Sequence, residues 1–280
     1  MPESESEPAA SRTADGVAVL RAMHLLLDGK PPILDDPVSL RLVGLERVAA
    51  ILANPERAAV PATAGLRSHV VLRSRYAEDR LEAAVGRGIG QAVALGAGLD
   101  TFAYRQPAWA AGLRIFEVDH LASQLMKRDR LAAAGIVIPA NVAFVAVDLD
   151  TERLGSALAA AGFEAERPAF ASCLGVLAYL APGTVDRVFE WAASLARGSE
   201  FVFTFAQPAE GPERGTAARA AELDEPWRTR LEPEAIGRRL RDLGFSSVSF
   251  VEPAEAAAYF AGRTDALRPP RRASIVRAVV

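Results

Sequence analysis

One cysteine, Cys173, in 280 residues rules out an internal disulfide framework. The three histidines, His24, His69 and His120, lie far apart in the chain without the spacing of metal ligands, so no metal site is expected. Positive charge is not in excess: 32 Lys and Arg stand against 35 Asp and Glu, a net charge of −3. The densest cationic run, Arg268-Pro-Pro-Arg-Arg272, is short and reads as a solvated loop, so nucleic acid is not an expected partner. No apolar run approaches the roughly 20 residues that span a bilayer, the longest uncharged one being Ala169 to Pro182, and no membrane partner is expected. The opening residues, Met1 to Pro8, are acidic and lack the apolar centre of a secretory signal, so the expectation is a soluble cytoplasmic protein. Nothing in the sequence indicates the oligomeric state.

Half of the residues are hydrophobic, enough for one large α/β domain or one domain with a cap. The most informative stretch runs from Gln91 to Asp119. An apolar strand (Gln91 to Leu95) leads into the turn Gly96-Ala97-Gly98-Leu99-Asp100-Thr101, and a second strand ends in Glu117-Val118-Asp119. Glycine allows a sharp turn and a close ligand approach. Glu117 follows Gly96 by 21 residues, about where nucleotide-binding α/β folds place the acid that holds a ribose. The third glycine of Gly-x-Gly-x-x-Gly is missing, because residue 101 is threonine. That disfavours a dinucleotide and favours a smaller adenosine-bearing ligand, with S-adenosylmethionine (SAM) the obvious candidate.

Residues 1–12 are polar, proline-containing and self-repelling, and are expected to be a disordered tail. Residues 13–88 read as an N-terminal helical cap. Its first helix is potentially capped by Asp15 and stopped by Pro31-Pro32, a second begins at Asp36-Pro37, and a third covers Ala64 to Val85. From residue 89 to 280 short β-rich runs alternate with helical segments. Strands are predicted near 91–95, 114–118, 142–147, 169–174 and 200–205, which implies parallel pairing through right-handed crossovers. A last pair near 246–251 and 273–279 lacks a long helix between its members, so it is expected to be antiparallel at one sheet edge. Residues 207–233, rich in Pro, Glu, Ala and Arg, interrupt the alternation as a lid over the carboxyl edge of the sheet.

In open parallel sheets ligands sit outside the carboxyl ends of the strands. That rule selects Gly96, Ala97, Gly98 and Asp100 after the first strand, Glu117 and Asp119 after the second, Asp148 and Leu149 after the third, and Leu174 to Tyr179 after the fourth. Each also has a plainer role open to it: glycine turns make tight connections, and acids after strands cap helices. Glu117 and Asp119 point the same way along the pleat, so one is expected on the ligand and the other on loop backbone or a cation. Arg73, in Arg73-Ser-Arg75-Tyr76-Ala-Glu78-Asp79-Arg80, either reaches the carboxylate of a cofactor or belongs to a solvated face with pairs such as Arg75 and Asp79. Tyr104, Tyr179 and His120 are substrate-side candidates, and Cys173 reads as a small core residue.

Together these residues resemble the leucine carboxyl methyltransferase-like family, in particular its bacterial branch of SAM-dependent O-methyltransferases of polyketide and other secondary metabolism. The matching blocks are Ser11 to Ala14, Arg73-Ser-Arg75 with Asp79, Leu95 to Thr101 with Tyr104-Arg105, Phe116 to Asp119, Lys127, Val147 to Leu149, Leu174 to Leu180, and Gly244-Phe245. The resemblance implies a class I methyltransferase fold, Rossmann-like, with a seven-stranded mostly parallel sheet and a helical cap. It implies that Arg73 binds the methionine carboxylate of SAM and that Gly96 and Gly98 line its methionine part. Asp119 would hold the ribose hydroxyls, and Asp148 and Leu149 would frame the adenine. With Ala97, Asp100, Glu117 and Leu174 from the sheet-edge reading, these complete the expected cofactor site. The implied activity is methyl transfer to a carboxylate or hydroxyl oxygen of a small metabolite. Two positions depart from the pattern: Phe102, where many members carry arginine, and Leu174, where many carry glutamate. Leu174 motivates the alternative of a non-catalytic SAM-binding protein of the same fold. A nicotinamide oxidoreductase is disfavoured by the missing third glycine, and nothing suggests a surface for docking a protein C-terminus.

Overall fold

The computed structural model describes residues 12–208, 216–270 and 274–280; the expected tail, up to residue 11, and part of the expected lid lie outside the described residues. The N-terminal region is helical throughout: α1 (Arg12–Leu27), α2 (Pro37–Val43), α3 (Leu45–Ala53), α4 (Glu56–Ala59) and the long α5 (Pro61–Gly86). Asp36 caps α2 as expected: its Oδ1 accepts from Ser39 N at 3.0 Å, with Pro37 supplying the pre-set first turn. Asp15 does not cap α1. The helix already starts at Arg12, so Asp15 sits inside its first turn and pairs with Arg47 of α3 and with Arg130 (2.5 Å). Helices α3 and α4 occupy an interval for which the sequence predicts no separate helix. The cap has its own small core of Ala18, Ala22, Val43 and Ile51, closed by Leu99 from the glycine turn.

Seven strands succeed the cap: β1 (Gln91–Leu95), β2 (Arg114–Asp119), β3 (Val142–Ala146), β4 (Phe170–Cys173), β5 (Glu200–Thr204), β6 (Ser247–Phe250) and β7 (Ile275–Val279). They form one sheet in the order β3-β2-β1-β4-β5-β7-β6. β1 to β5 pair in parallel, and β7 runs antiparallel to both β5 and β6. The expected antiparallel pair is therefore at the edge, with β7 as its inner member. Side-chain alternation divides the interior into two layers. Val93, Leu95, Phe116 and Val118 face the layer covered by α7 (Leu154–Ala160), α8 (Pro182–Ala193) and α10 (Pro233–Asp242). Ala92, Ile115, Phe170 and Val202 face the layer covered by α5 and α11 (Pro253–Ala258).

Helix α5 links the two edges of the sheet. It descends towards the start of β1, antiparallel to that strand. Arg80 reaches Glu200, the first residue of β5 at the amino edge of the sheet. Arg73, two turns earlier and about 10 Å higher at 1.5 Å per residue, reaches Gly175 just past the end of β4. The residues before Arg73 rise above the carboxyl edge into the cap.

Candidate functional site

The turn after β1 is built by glycine conformations that side chains avoid. Gly96 has φ +62° and Gly98 φ +41°. The position a Cβ would take at Gly96 is filled by the Val176 side chain, from the loop after β4, and the one at Gly98 lies 3.2 Å from Ala14 Cβ on α1. Two loops and the cap thus close on this turn. Ala97 N donates to Val118 O at 3.0 Å, and Gly98 N donates to Asp119 Oδ2 at 2.6 Å, tying the turn to the end of β2. The other oxygen, Asp119 Oδ1, accepts from His120 N at 2.7 Å. Asp119 is half-buried at the rim of the cleft.

Glu117 and Asp119 share a face but differ in surroundings. Glu117 is 2 % exposed, accepting from Lys127 Nζ at 2.8 Å and from Tyr104 Oη at 2.7 Å. Burial pushes its carboxyl up while Lys127 and Tyr104 pull it down, and burial prevails. Both ligands of this carboxylate are internal, so Glu117 and Tyr104 brace the floor beneath the turn, with Lys127 Nζ also 5.2 Å from the Tyr104 ring centre. The role of Lys127 had no sequence-level assignment. The structure shows the reason for it: on α6 (Leu121–Ala133) the buried residues Ser123, Gln124, Lys127 and Leu131 mark one face, and a lysine there requires an acid opposite.

Asp100 faces the cleft, its side chain 32 % exposed. Its Oδ1 accepts from Phe102 N at 3.0 Å, and its Oδ2 is 3.6 Å from Arg21 Nη1 on α1. Burial alone raises its carboxyl; Arg21, Lys127 and Arg105 outweigh that and hold it below the ordinary range. Arg21, 3 % exposed, also donates to Leu99 O at 2.5 Å and lies 3.7 Å from Asp36 Oδ2. Sequence reasoning overlooked it, because a lone arginine on a helix carries no motif.

Leu174 and Phe102, the two departures from the family pattern, line one cavity of about 60 Å³ with Ser74, Asp100 and Ser172, between α5 and the sheet. The loop continues through Gly175, whose N–H donates to Thr204 Oγ1 at 2.7 Å, to the short 3-10 helix Leu177–Tyr179. Asp148, after β3, accepts from Asp150 N and Thr151 Oγ1, both at 2.9 Å, shaping its own turn, while Leu149 packs half-buried on the α7–α8 layer. His120 caps α6 by accepting from Ala122 N at 3.2 Å. Cys173 is buried, its thiol pushed up to about 12 by desolvation, and inert for that reason. Beyond the sheet edge, Arg228 N and Thr229 N of the described part of 207–233 donate to Ala178 O at 2.7 and 3.1 Å. Glu225 of the same segment accepts from Arg12 N and Thr13 Oγ1, each at 2.5 Å.

Arg73 is the distinctive charge. Its guanidinium lies against Gly175, where a Cβ would come within 2.6 Å of Nη1. Among the described residues it has no carboxylate or carbonyl partner, although Arg75, two residues on, pairs with Asp79 as expected. Burial, and then repulsion from Arg21, push Arg73 down to about 10. A half-buried guanidinium without a partner among the described residues is set up to receive an anion. That fits the carboxylate of SAM. Of the predicted residues, the structure thus gathers Arg73, Gly96, Ala97, Gly98, Asp100, Asp119, Leu174 and Tyr179 around one cleft. Asp148 and Leu149 flank it at β3, and Glu117 and Tyr104 lie beneath it.

The strand order, the single antiparallel β7 and the glycine turn linked to an acid after β2 are those of the class I methyltransferase fold. The family described as "Leucine carboxyl methyltransferase" matches residues 14–193. A protein of Mycobacteroides abscessus named "Putative S-adenosyl-L-methionine-dependent methyltransferase" is 33 % identical over 234 residues, 79 % of this chain and 75 % of its own. A similarly named protein of Frankia alni is 33 % identical over 268 residues, 91 % of this chain and 81 % of its own. A crystal structure of a methyltransferase described as putative, from Thermobifida fusca, matches with a TM-score of 0.56 over 94 % of this chain and 92 % of that one at 22 % identity, a likeness of fold. The chain belongs to the leucine carboxyl methyltransferase family, whose members use SAM. No helix among the described residues is long and apolar enough to cross a membrane.

Proposed function

We propose that this protein transfers a methyl group from SAM to an oxygen atom of a small metabolite. The observation that carries the reading is the Arg73 guanidinium against Gly175 at the carboxyl edge of the sheet, unpaired among the described residues. In this reading Arg73 takes the cofactor's carboxylate, Gly96, Ala97 and Gly98 line its methionine part, Asp119 receives the ribose hydroxyls, and Asp148 and Leu149 border the adenine. The cofactor supplies a methyl group already activated on a sulfonium. The protein's task is alignment and exclusion of water, and such positioning supplies on the order of 7–11 kcal/mol. Residues 13–88 act as a cap and the described part of 207–233, from residue 216 on, as a lid over the acceptor, in a protein that works in the cytoplasm.

Calorimetric titration with SAM tests this. Micromolar binding is expected, weakened more than tenfold by Asp119→Ala, and equal affinity in the variant would remove the site. Release of S-adenosylhomocysteine with an acceptor demonstrates turnover. The second reading, a SAM-binding protein without catalysis, is favoured by Leu174, which lines an apolar wall with Phe102. Turnover of any acceptor excludes it.

A further inference from the structure

The three histidines are treated differently by the fold. His24 is fully used: its Nδ1 is 2.9 Å from Asp28 Oδ2, and its Nε2 accepts from Ile33 N at 2.9 Å. His120 caps α6. His69 has no hydrogen-bond partner among the described residues and is half-buried, its imidazole still reached by solvent. A polar group in that state without a partner calls for a physical reason.

Its position supplies one. His69 lies four residues before Arg73, on the same face of α5 and about 6 Å further from the sheet. Arg73 stands at the level of the loop after β4, where the cofactor's carboxylate is proposed to sit. The imidazole is therefore the next group above it, on the cap side, where an acceptor would enter. Resting on the proposed function, we infer that His69 is the catalytic base for a hydroxyl acceptor, which makes alcohols, phenols or enols the substrate class rather than carboxylic acids. As the acceptor oxygen bonds to the methyl carbon, its proton passes to an imidazole nitrogen. The methyl–sulfur bond breaks with its electron pair staying on sulfur, leaving the neutral thioether, and His69 then returns the proton to solvent. A carboxylate is already ionised near neutral pH and has no need of such a group. Burial and the Arg73 charge keep His69 unprotonated, down to about 3, when Arg73 is unpaired. An anion on Arg73 offsets the smaller of these two causes, while burial, the larger, keeps the imidazole neutral and free to accept a proton.

The test compares wild type and His69→Gln by release of S-adenosylhomocysteine from SAM with a panel of small phenols, alcohols and carboxylic acids, beside the calorimetric SAM affinity. The expected result is turnover of a hydroxyl compound with kcat lowered about 100-fold or more in the variant, and SAM affinity unchanged within about twofold. Undiminished turnover of that hydroxyl acceptor by His69→Gln, or turnover of carboxylic acids alone by wild type, overturns the assignment. If the panel yields no turnover, the imidazole NMR signal that His69→Gln removes decides: it must move when S-adenosylhomocysteine saturates the protein, and a signal that stays in place overturns the inference. Failure of wild type to bind SAM refutes the proposed function itself and is distinct from all of these.

Discussion

Where it passes the two edges of the sheet, α5 carries arginines in opposite circumstances. At the amino edge of the sheet, Glu200 is fully buried and accepts from Arg80 at 2.8 Å, Arg87 at 2.7 Å and Arg277 at 2.8 Å. Both carboxylate oxygens there are answered from within the protein, and the cluster ties α5 to β5 and β7. At the carboxyl edge, two turns up the same helix, Arg73 and His69 have no such answer among the described residues. Charges that hold a fold together arrive with their partners, whereas charges that hold a ligand are left without one until it binds. In this molecule the lack of a partner points to function more sharply than the residue type does, since Arg73 and Arg80 are the same amino acid on the same helix.

The comparison can be broken at either end. The largest effect is expected from Glu200→Gln, which leaves three arginines around a neutral amide. The loss should be about 3–5 kcal/mol, seen as a fall in Tm on the order of 10 °C, with SAM affinity unchanged within about twofold. Loss of SAM binding in folded Glu200→Gln protein would show that the two ends are not separable. Next comes Arg73→Met, which removes the charge-assisted hydrogen bonds proposed to the cofactor's carboxylate, worth about 1.5–3 kcal/mol, roughly 10- to 150-fold in Kd. The thermal stability of the ligand-free variant should match wild type, because no internal partner is lost; a large drop in Tm would make Arg73 structural. The smallest effect is on acid stability. Burial raises the Glu200 carboxyl, but its hydrogen bonds and the charges of Arg80 and Arg277 hold it below the usual value of 4.5. A carboxyl with a lowered folded pKa contributes stability that is complete above its unfolded pKa and drains away as pH falls through the folded one. Denaturant titrations of wild type from pH 6 to about 3 should show that loss, and Glu200→Gln should show a shallower slope; equal slopes would mean that other carboxyls carry the acid sensitivity.

Much of the architecture is legible in the residue pattern. Periodicity locates all seven strands because an alternating or continuous apolar run of that length, bounded by turn residues, suits a sheet far better than a loop or a surface helix. The change of period near Gly90 separates the N-terminal helices from the sheet. The rule that ligands gather at carboxyl ends of parallel strands brings Gly96, Asp100, Asp119 and Leu174 into one candidate site from three separate loops. Local reasoning fails where a side chain's partner is remote in sequence. Asp15 looks like a cap when only its neighbours are considered, yet its partners are Arg47 and Arg130. Glu117 and Asp119 are equivalent by alternation, and only the approach of Lys127 and Tyr104 sends the first into the floor while the second stays at the rim.

By itself, then, the sequence determined the class of fold and the adenosine-bearing ligand, and it singled out the edge of the sheet proposed to bind it. Those depend on short-range patterns: side-chain period, glycine conformation, and the spacing of an acid from a turn. Tertiary structure alone decided which charges are satisfied. Whether Arg73 differs from Arg80, or His69 from His24, depends on what the folded chain brings within about 3 Å of each, and no local pattern contains that distance.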